Sequence, residues 1–190
     1  MNMQRVNIKR ILIIVAVILT LGLAYKFYKK AKDTEKIKLT NVSLKSEKNI
    51  TDLTDIIDIL QNGLILKGFV QIRNFSGQDY TLSQMSIDAF SPVSDKIIAE
   101  QININQHDIA LKNKQVTNIP LQYKVDVISA LSLFKESGVI PENTTLWDVI
   151  THPAKYYEST NLNKLKIVLK GFIEAEGITL NINQEQFLFN

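Results

Sequence analysis

The sequence predicts a mainly β protein: an antiparallel β-sandwich with one or two short helices, preceded by a single transmembrane helix. Two observations carry most of this. Residues 11–25 run from Ile11 to Tyr25 without a charge. Beyond Ile37, apolar and polar residues alternate in short runs that return at about the 8–12-residue spacing of antiparallel sandwiches. The predicted organisation is residues 1–28 as a basic N-terminus and transmembrane helix, 29–36 as a polar connector, and 37–190 as the β-sandwich.

The anchor comes first. Ile11, Leu12, Ile13, Ile14, Val15, Ala16, Val17, Ile18, Leu19, Leu21, Leu23 and Tyr25 are its apolar residues. Extended to Tyr28, the run spans roughly 27 Å as a helix, just short of a ~30 Å hydrocarbon core. Arg5, Lys9 and Arg10 before it, and Lys26, Phe27, Tyr28, Lys29 and Lys30 after it, are assigned to the membrane interface. Lysines snorkel there, and aromatic rings form the interfacial belt. A cleaved signal peptide competes with this assignment, because a basic n-region precedes the run and Gly22-Leu23-Ala24 offers small residues before Tyr25. A buried core helix would need an equally apolar partner, and the sequence has none. Three basic residues precede the run and six lysines follow it by position 40, which places the large C-terminal part on the cytoplasmic side.

Lys29 to Lys36 then form the polar connector, with a helical continuation of the anchor as one option. A first strand is expected from Ile37 to Leu44, irregular near Asn41. Leu53, Ile56, Ile57 and Leu60 follow the i, i+3, i+4, i+7 stripe of a short helix, with Asp52, Asp55 and Asp58 opposite. Strands follow at 64–74 and 80–90 around a Ser-Gly-Gln-Asp turn, then at 96–105 and at 116–125, where Pro120 implies an edge or bulge. Helices are expected at 127–135, with Val127, Leu131 and Phe134 on one side, and at 145–157, capped by Asn143 or Thr144 and ended by Pro153. Strands at 165–176, 178–183 and 186–189 close the chain. Leu66-Lys67-Gly68-Phe69-Val70 returns as Leu169-Lys170-Gly171-Phe172-Ile173. The echo marks two strands on one core, each glycine permitting a bulge or close packing of the opposite sheet.

Composition narrows the chemistry. The net charge of +3 is uneven: residues 1–40 carry +7 and residues 41–190 carry −4. An acidic globular part is a poor nucleic-acid binder, and the basic arm beside an apolar run points to lipid. No cysteine is present, which excludes disulfides, thiolate metal sites and a thiol nucleophile. His107 and His152 are alone, in a loop and at a helix end, and neither has the partners of a catalytic or metal site. The three aspartates lack a calcium loop's pattern, and Glu174 and Glu176 fall on the outer face of a strand. Trp147, Tyr156 and Tyr157 are read as packing aromatics, with an exposed patch for a partner or carbohydrate as the alternative. No catalytic residue, cofactor or metal ligand is expected, and the oligomeric state stays open.

One family resemblance is carried by Gly68-Phe69-Val70-Gln71-Ile72-Arg73-Asn74-Phe75-Ser76, then Tyr80-Thr81-Leu82 and Ile87-Asp88-Ala89-Phe90. This resembles the late embryogenesis abundant type-2, or WHy, domain, with Phe75 in place of the usual proline. Val168 to Ile173 leading into Gly177 to Leu180 is similar to that family's closing strands. The resemblance implies a non-enzymatic β-sandwich used for binding, protection or membrane association. The layout of a short span, a lysine cluster and such a domain is also similar to membrane proteins carried by bacteriophages. The expected partners are therefore the lipid bilayer and a protein close to it, as in a virion component tethering an internal membrane to a capsid. The alternatives are an envelope lipid-handling or stress-protective module, with an apolar groove between its sheets, and an exported cell-wall hydrolase.

Overall fold

The structure, a computed structural model, describes residues 4–47, 53–99, 101–102, 109–152, 154–155 and 164–189, with side chains at all of these except 4–14, 53, 56 and 60. It is mainly β, with antiparallel sheets and four helices among the described residues. Helix α1 (Gln4–Thr34) leads into β1 (Ile37–Ser46), α2 (Leu53–Asn62), β2 (Leu64–Asn74) and β3 (Tyr80–Phe90). Then come β4 (Ile97–Ala99), β5 (Ala110–Leu111), β6 (Gln115–Val125), α3 (Val127–Glu136), α4 (Leu146–Thr151), β7 (Lys166–Ala175) and β8 (Ile178–Phe187).

One sheet has the order β1-β2-β6, and the other has β4-β3-β7-β8 with β5 on β3. Pro120 sits in β6, an edge strand of the first sheet, where its missing N–H leaves the register with β2 unbroken. The irregularity expected near Asn41 is a register shift between Leu39 and Asn41. It moves the inward row of β1 from Ile37 to Val42 and Leu44, an odd-to-even switch that an extra residue forces on a period-2 strand. A second shift between Leu82 and Gln84 does the same in β3, so Leu82 gives way to Met85, Ile87 and Ala89 as buried residues.

The inward rows of both sheets join one hydrophobic cluster. Both edges are bridged. Ile102 N donates to Gln122 O (2.8 Å), and Ser46 N donates to Leu188 O (3.2 Å). Inside, the Tyr123 hydroxyl of β6 donates to Ile87 O of β3 (2.8 Å), and burial pushes its pKa up. That bond satisfies the polar tip of a fully buried ring.

Several expectations change. The last two strands are one: β8 runs unbroken to Phe187, paired with β7 along its whole length. Glu176 lies in the β7–β8 turn and not on a strand face. Glu176 (φ 46) and Gly177 (φ 78) are both left-handed, the two-residue turn that matches strand twist. The glycines of the repeated motif do not make room for the opposite sheet. Each meets a neighbouring strand of its own sheet, Gly68 at Ser43 and Leu44, Gly171 at Ser86 and Ile87.

The helices differ in detail. The cap of α4 is Thr145, in a reciprocal box with Asp148, because its hydroxyl reaches Asp148 N (3.1 Å) while Asp148 accepts from Thr145 N (2.8 Å). The helix ends at Thr151, and Trp147 on it is exposed, not packed. In α3 the buried face is Ala130, Leu133 and Phe134; Val127 and Leu131 are only half-buried. Ile59 of α2 is buried although it lies off the predicted stripe, because α2 packs against both α3 and α4. Asp55 and Asp58 are half-buried rather than fully solvated. His107, Asp52, Pro153, Tyr156 and Tyr157 lie outside the described residues, as do 100 and 103–105 of the run expected as strand 96–105, of which β4 takes Ile97–Ala99.

Candidate membrane interface

Strand directions give the β domain two ends. At one end lie α2, α3 and α4. At the other lie the turns at 75–79, 112–114 and 176–177, where β2 and β7 stop and β3 and β8 begin. The C-terminal part of α1 reaches this second end.

The polar connector is therefore helical, and it is docked. The spacing i, i+3, i+4, i+7 puts Lys26, Lys29, Lys30 and Asp33 on one face of α1. Asp33 is buried at 3% exposure, a rare state for a carboxylate, and its Oδ2 accepts from the Tyr80 hydroxyl at 2.7 Å. Gln78 Nε2 donates to that same hydroxyl oxygen. Lys29 Nζ donates to Gln78 Oε1 (3.0 Å). Burial, then the Asp33 hydrogen bond, raises the Tyr80 pKa. A folded-state pKa raised in this way contributes stability present below about pH 10, and that stability is lost as pH rises through the raised value. Tyr80→Phe leaves the Asp33 carboxylate buried without this donor. The expected loss is about 1–3 kcal/mol in urea unfolding, with faster amide exchange in the last turns of α1.

The end itself is organised by Asn74, buried at the close of β2. Its Nδ2 donates to Leu111 O (2.6 Å) and Gln78 O (2.9 Å), and its Oδ1 accepts from Ser76 N (3.0 Å) and Ser76 Oγ (2.8 Å). An asparagine can fold a turn around itself in this way because it carries donors and acceptors on one short side chain. Asp79 ties in the next turn, accepting from Asn113 N (2.8 Å) and Lys112 Nζ (3.1 Å), which lower its pKa in that order. Asn74→Ala would strand several of these groups. A loss of about 2–3 kcal/mol is expected, seen as a melting temperature about 5–10 °C lower.

Upstream of the dock, the described side chains of α1 from Val15 to Lys29 are exposed. Val15, Val17, Ile18, Leu19, Leu21, Leu23, Tyr25, Phe27 and Tyr28 are each 47–70% exposed, and Ala16 is exposed as well. The Thr20 hydroxyl donates to Ala16 O within the helix. Among the described residues no helix is long and apolar enough to cross a membrane. The side chains of Ile11, Leu12, Ile13 and Ile14, which open the apolar run, lie outside those residues, as do those of Arg5, Lys9 and Arg10. Of the predicted interface residues, Lys26, Phe27, Tyr28 and Lys29 are exposed and Lys30 is half-buried.

The structure brings Lys26, Lys29 and Lys30 together with Gln78, Tyr80 and Glu176 around an open cleft of about 380 Å³. Asp33, Gln78, Tyr80 and Asn74 were not among the residues expected to form a site. The available signals were Asp33 one helical face below Lys26, and an Asn-Phe-Ser run closing a strand. Among the described residues no three histidines or carboxylates gather as metal ligands. No family model matches the chain, and no curated protein matches it. A similar solved structure, of a protein from Archaeoglobus fulgidus, is 12% identical, with 78% of this chain and 95% of that chain covered and a TM-score of 0.38.

Proposed function

We propose that the chain is a non-enzymatic, single-span membrane protein whose N-terminal helix holds a β-sandwich interaction domain against the bilayer. The observation that carries this is the helix itself. From Val15 to Tyr28 it is apolar on every side apart from Thr20 and Lys26, and it leaves its large side chains exposed. Such a surface in water invites association; in lipid it is satisfied, because all its backbone groups are paired within the helix. With Ile11 to Ile14 added, the run has the length of a short span.

The geometry sets the distance. Helix α1 continues to Thr34 and is gripped at Asp33, so the domain stands within two helical turns of the apolar run. The nine residues from Lys26 to Thr34 rise only about 13 Å. The lysine excess after the run favours a cytoplasmic, or capsid-facing, domain. The partner is then a protein held close to the bilayer, a capsid or envelope protein. Ile128 and Trp147, the most exposed large apolar side chains outside α1 among the described residues, lie on α3 and α4, at the end opposite the α1 dock. A lipid-handling module is the weaker reading. Its apolar groove would have to run between sheets whose inward residues, such as Leu66, Ile87, Ile119 and Leu169, are fully buried against one another. Alkaline extraction of membranes from expressing cells tests the anchor: a retained chain supports it, and release into the supernatant counts against it.

A further inference from the structure

The cleft between α1 and the near end of the β domain has no role in simple anchoring. We propose that it binds the phosphate group of an anionic phospholipid, an inference that rests on the single-span reading above. Three lysines from one face of α1 line it, Lys26, Lys29 and Lys30. Lys29 spends one donor on Gln78. The ammonium groups of Lys26 and Lys30 have no hydrogen bond or ion pair among the described residues. Lys30 is half-buried and reaches over Gly177, where any side chain would collide with its ammonium.

The acidic groups nearby are already engaged. Glu176 lines the cleft, and its Oε1 accepts from Thr81 N (3.0 Å). Asp33 accepts from Tyr80. Three cations against these two carboxylates leave a net positive cleft, with six ammonium N–H donors on Lys26 and Lys30 uncommitted. A phosphodiester supplies a single negative charge and several acceptor oxygens, which suits that balance.

Position selects lipid over free phosphate. Lys26 directly follows the apolar run, and Phe27 and Tyr28 mark the interfacial level beside it. A headgroup in the cleft would lay its acyl chains along the exposed surface of residues 15–25. Bulk attraction of lysines to an anionic leaflet falls off over a Debye length and does not depend on which lysine is present. A built cleft does.

The test uses the full chain in detergent, with equimolar dioleoyl phosphatidylglycerol and dioleoyl phosphatidylcholine, and counts retained lipid by native mass spectrometry. The wild type is expected to hold phosphatidylglycerol about tenfold over phosphatidylcholine. Lys29→Gln with Lys30→Gln should reduce that preference to about twofold, whereas Lys36→Gln with Lys38→Gln, an equal loss of charge outside the cleft, should keep it. Equal preference in the two double variants would overturn the cleft as a site. Retention abolished by millimolar inorganic phosphate, with phosphate itself bound, would make it a free-anion site and overturn the lipid assignment. Flotation on pure phosphatidylcholine vesicles separates the two levels. Both double variants should float like the wild type; if no form floats, the anchor fails and the headgroup site falls with it.

Discussion

Alanine at Gly68 or at Gly171 is expected to destabilise the chain by about 3 kcal/mol or more, the upper range for overpacking a core. A Cβ on Gly68 would run into the Ser43 carbonyl, whose carbon would be 2.7 Å away, with Leu44 Cα at 2.8 Å. A Cβ on Gly171 would meet the Ser86 carbonyl, with its carbon at 2.8 Å and Ile87 Cα at 2.7 Å, and Gly171 also holds a left-handed φ of 155°. The obstacles are backbone, which cannot rotate away as a flexible side chain could. In each case the obstacle precedes the glycine's own register partner, Leu44 for Gly68 and Ile87 for Gly171. For a chain of this length the loss corresponds to a melting temperature about 10 °C lower. Gly22→Ala is the control: nothing lies within 4 Å of its Cβ, and alanine suits a helix. If Gly68→Ala melts with the wild type, β1 and β2 are not as close as described.

This pair also shows what was legible beforehand. The repeat Leu-Lys-Gly-Phe was visible as letters, and its placement on two strands of one core followed from alternation. The role of the glycines was not, because the pattern of one strand does not say how closely the backbone of its neighbour approaches. Of the register shifts in β1 and β3, only the first left a trace, as broken alternation at Asn41. The strands at 64–74 and 80–90 were readable to the residue, since a period-2 pattern was bounded by clear turn residues. The expected strands 178–183 and 186–189 leave a gap at polar Gln184 and Glu185, which is simply the outward-rich end of a strand on the sheet's edge. Trp147 was assigned to packing on residue type alone, and type does not say which side of a two-turn helix faces the core. The dock of α1 was the least legible feature. Asp33 and Tyr80 are 47 residues apart, and only folding brings that acid and that hydroxyl together.

Two aspartates in the apolar run, Val17→Asp with Leu21→Asp, are expected to abolish membrane retention. Each carboxylate near mid-span adds about 2.5–3.5 kcal/mol to the insertion free energy. Together they add about 5–7 kcal/mol, against a run of barely sufficient length. Both positions are exposed, so folding of the domain should be unaffected. The variant should appear in the soluble fraction, with its thermal transition where the detergent-extracted wild type has it. A variant that stays with the membrane would mean that the domain, and not the helix, makes the attachment.

The most direct measurement is the intact mass of the wild-type chain recovered from alkaline-extracted membranes. A retained single-span anchor predicts the full 190-residue mass in the pellet. A soluble chain beginning near Tyr25, cut after Gly22-Leu23-Ala24, would contradict it.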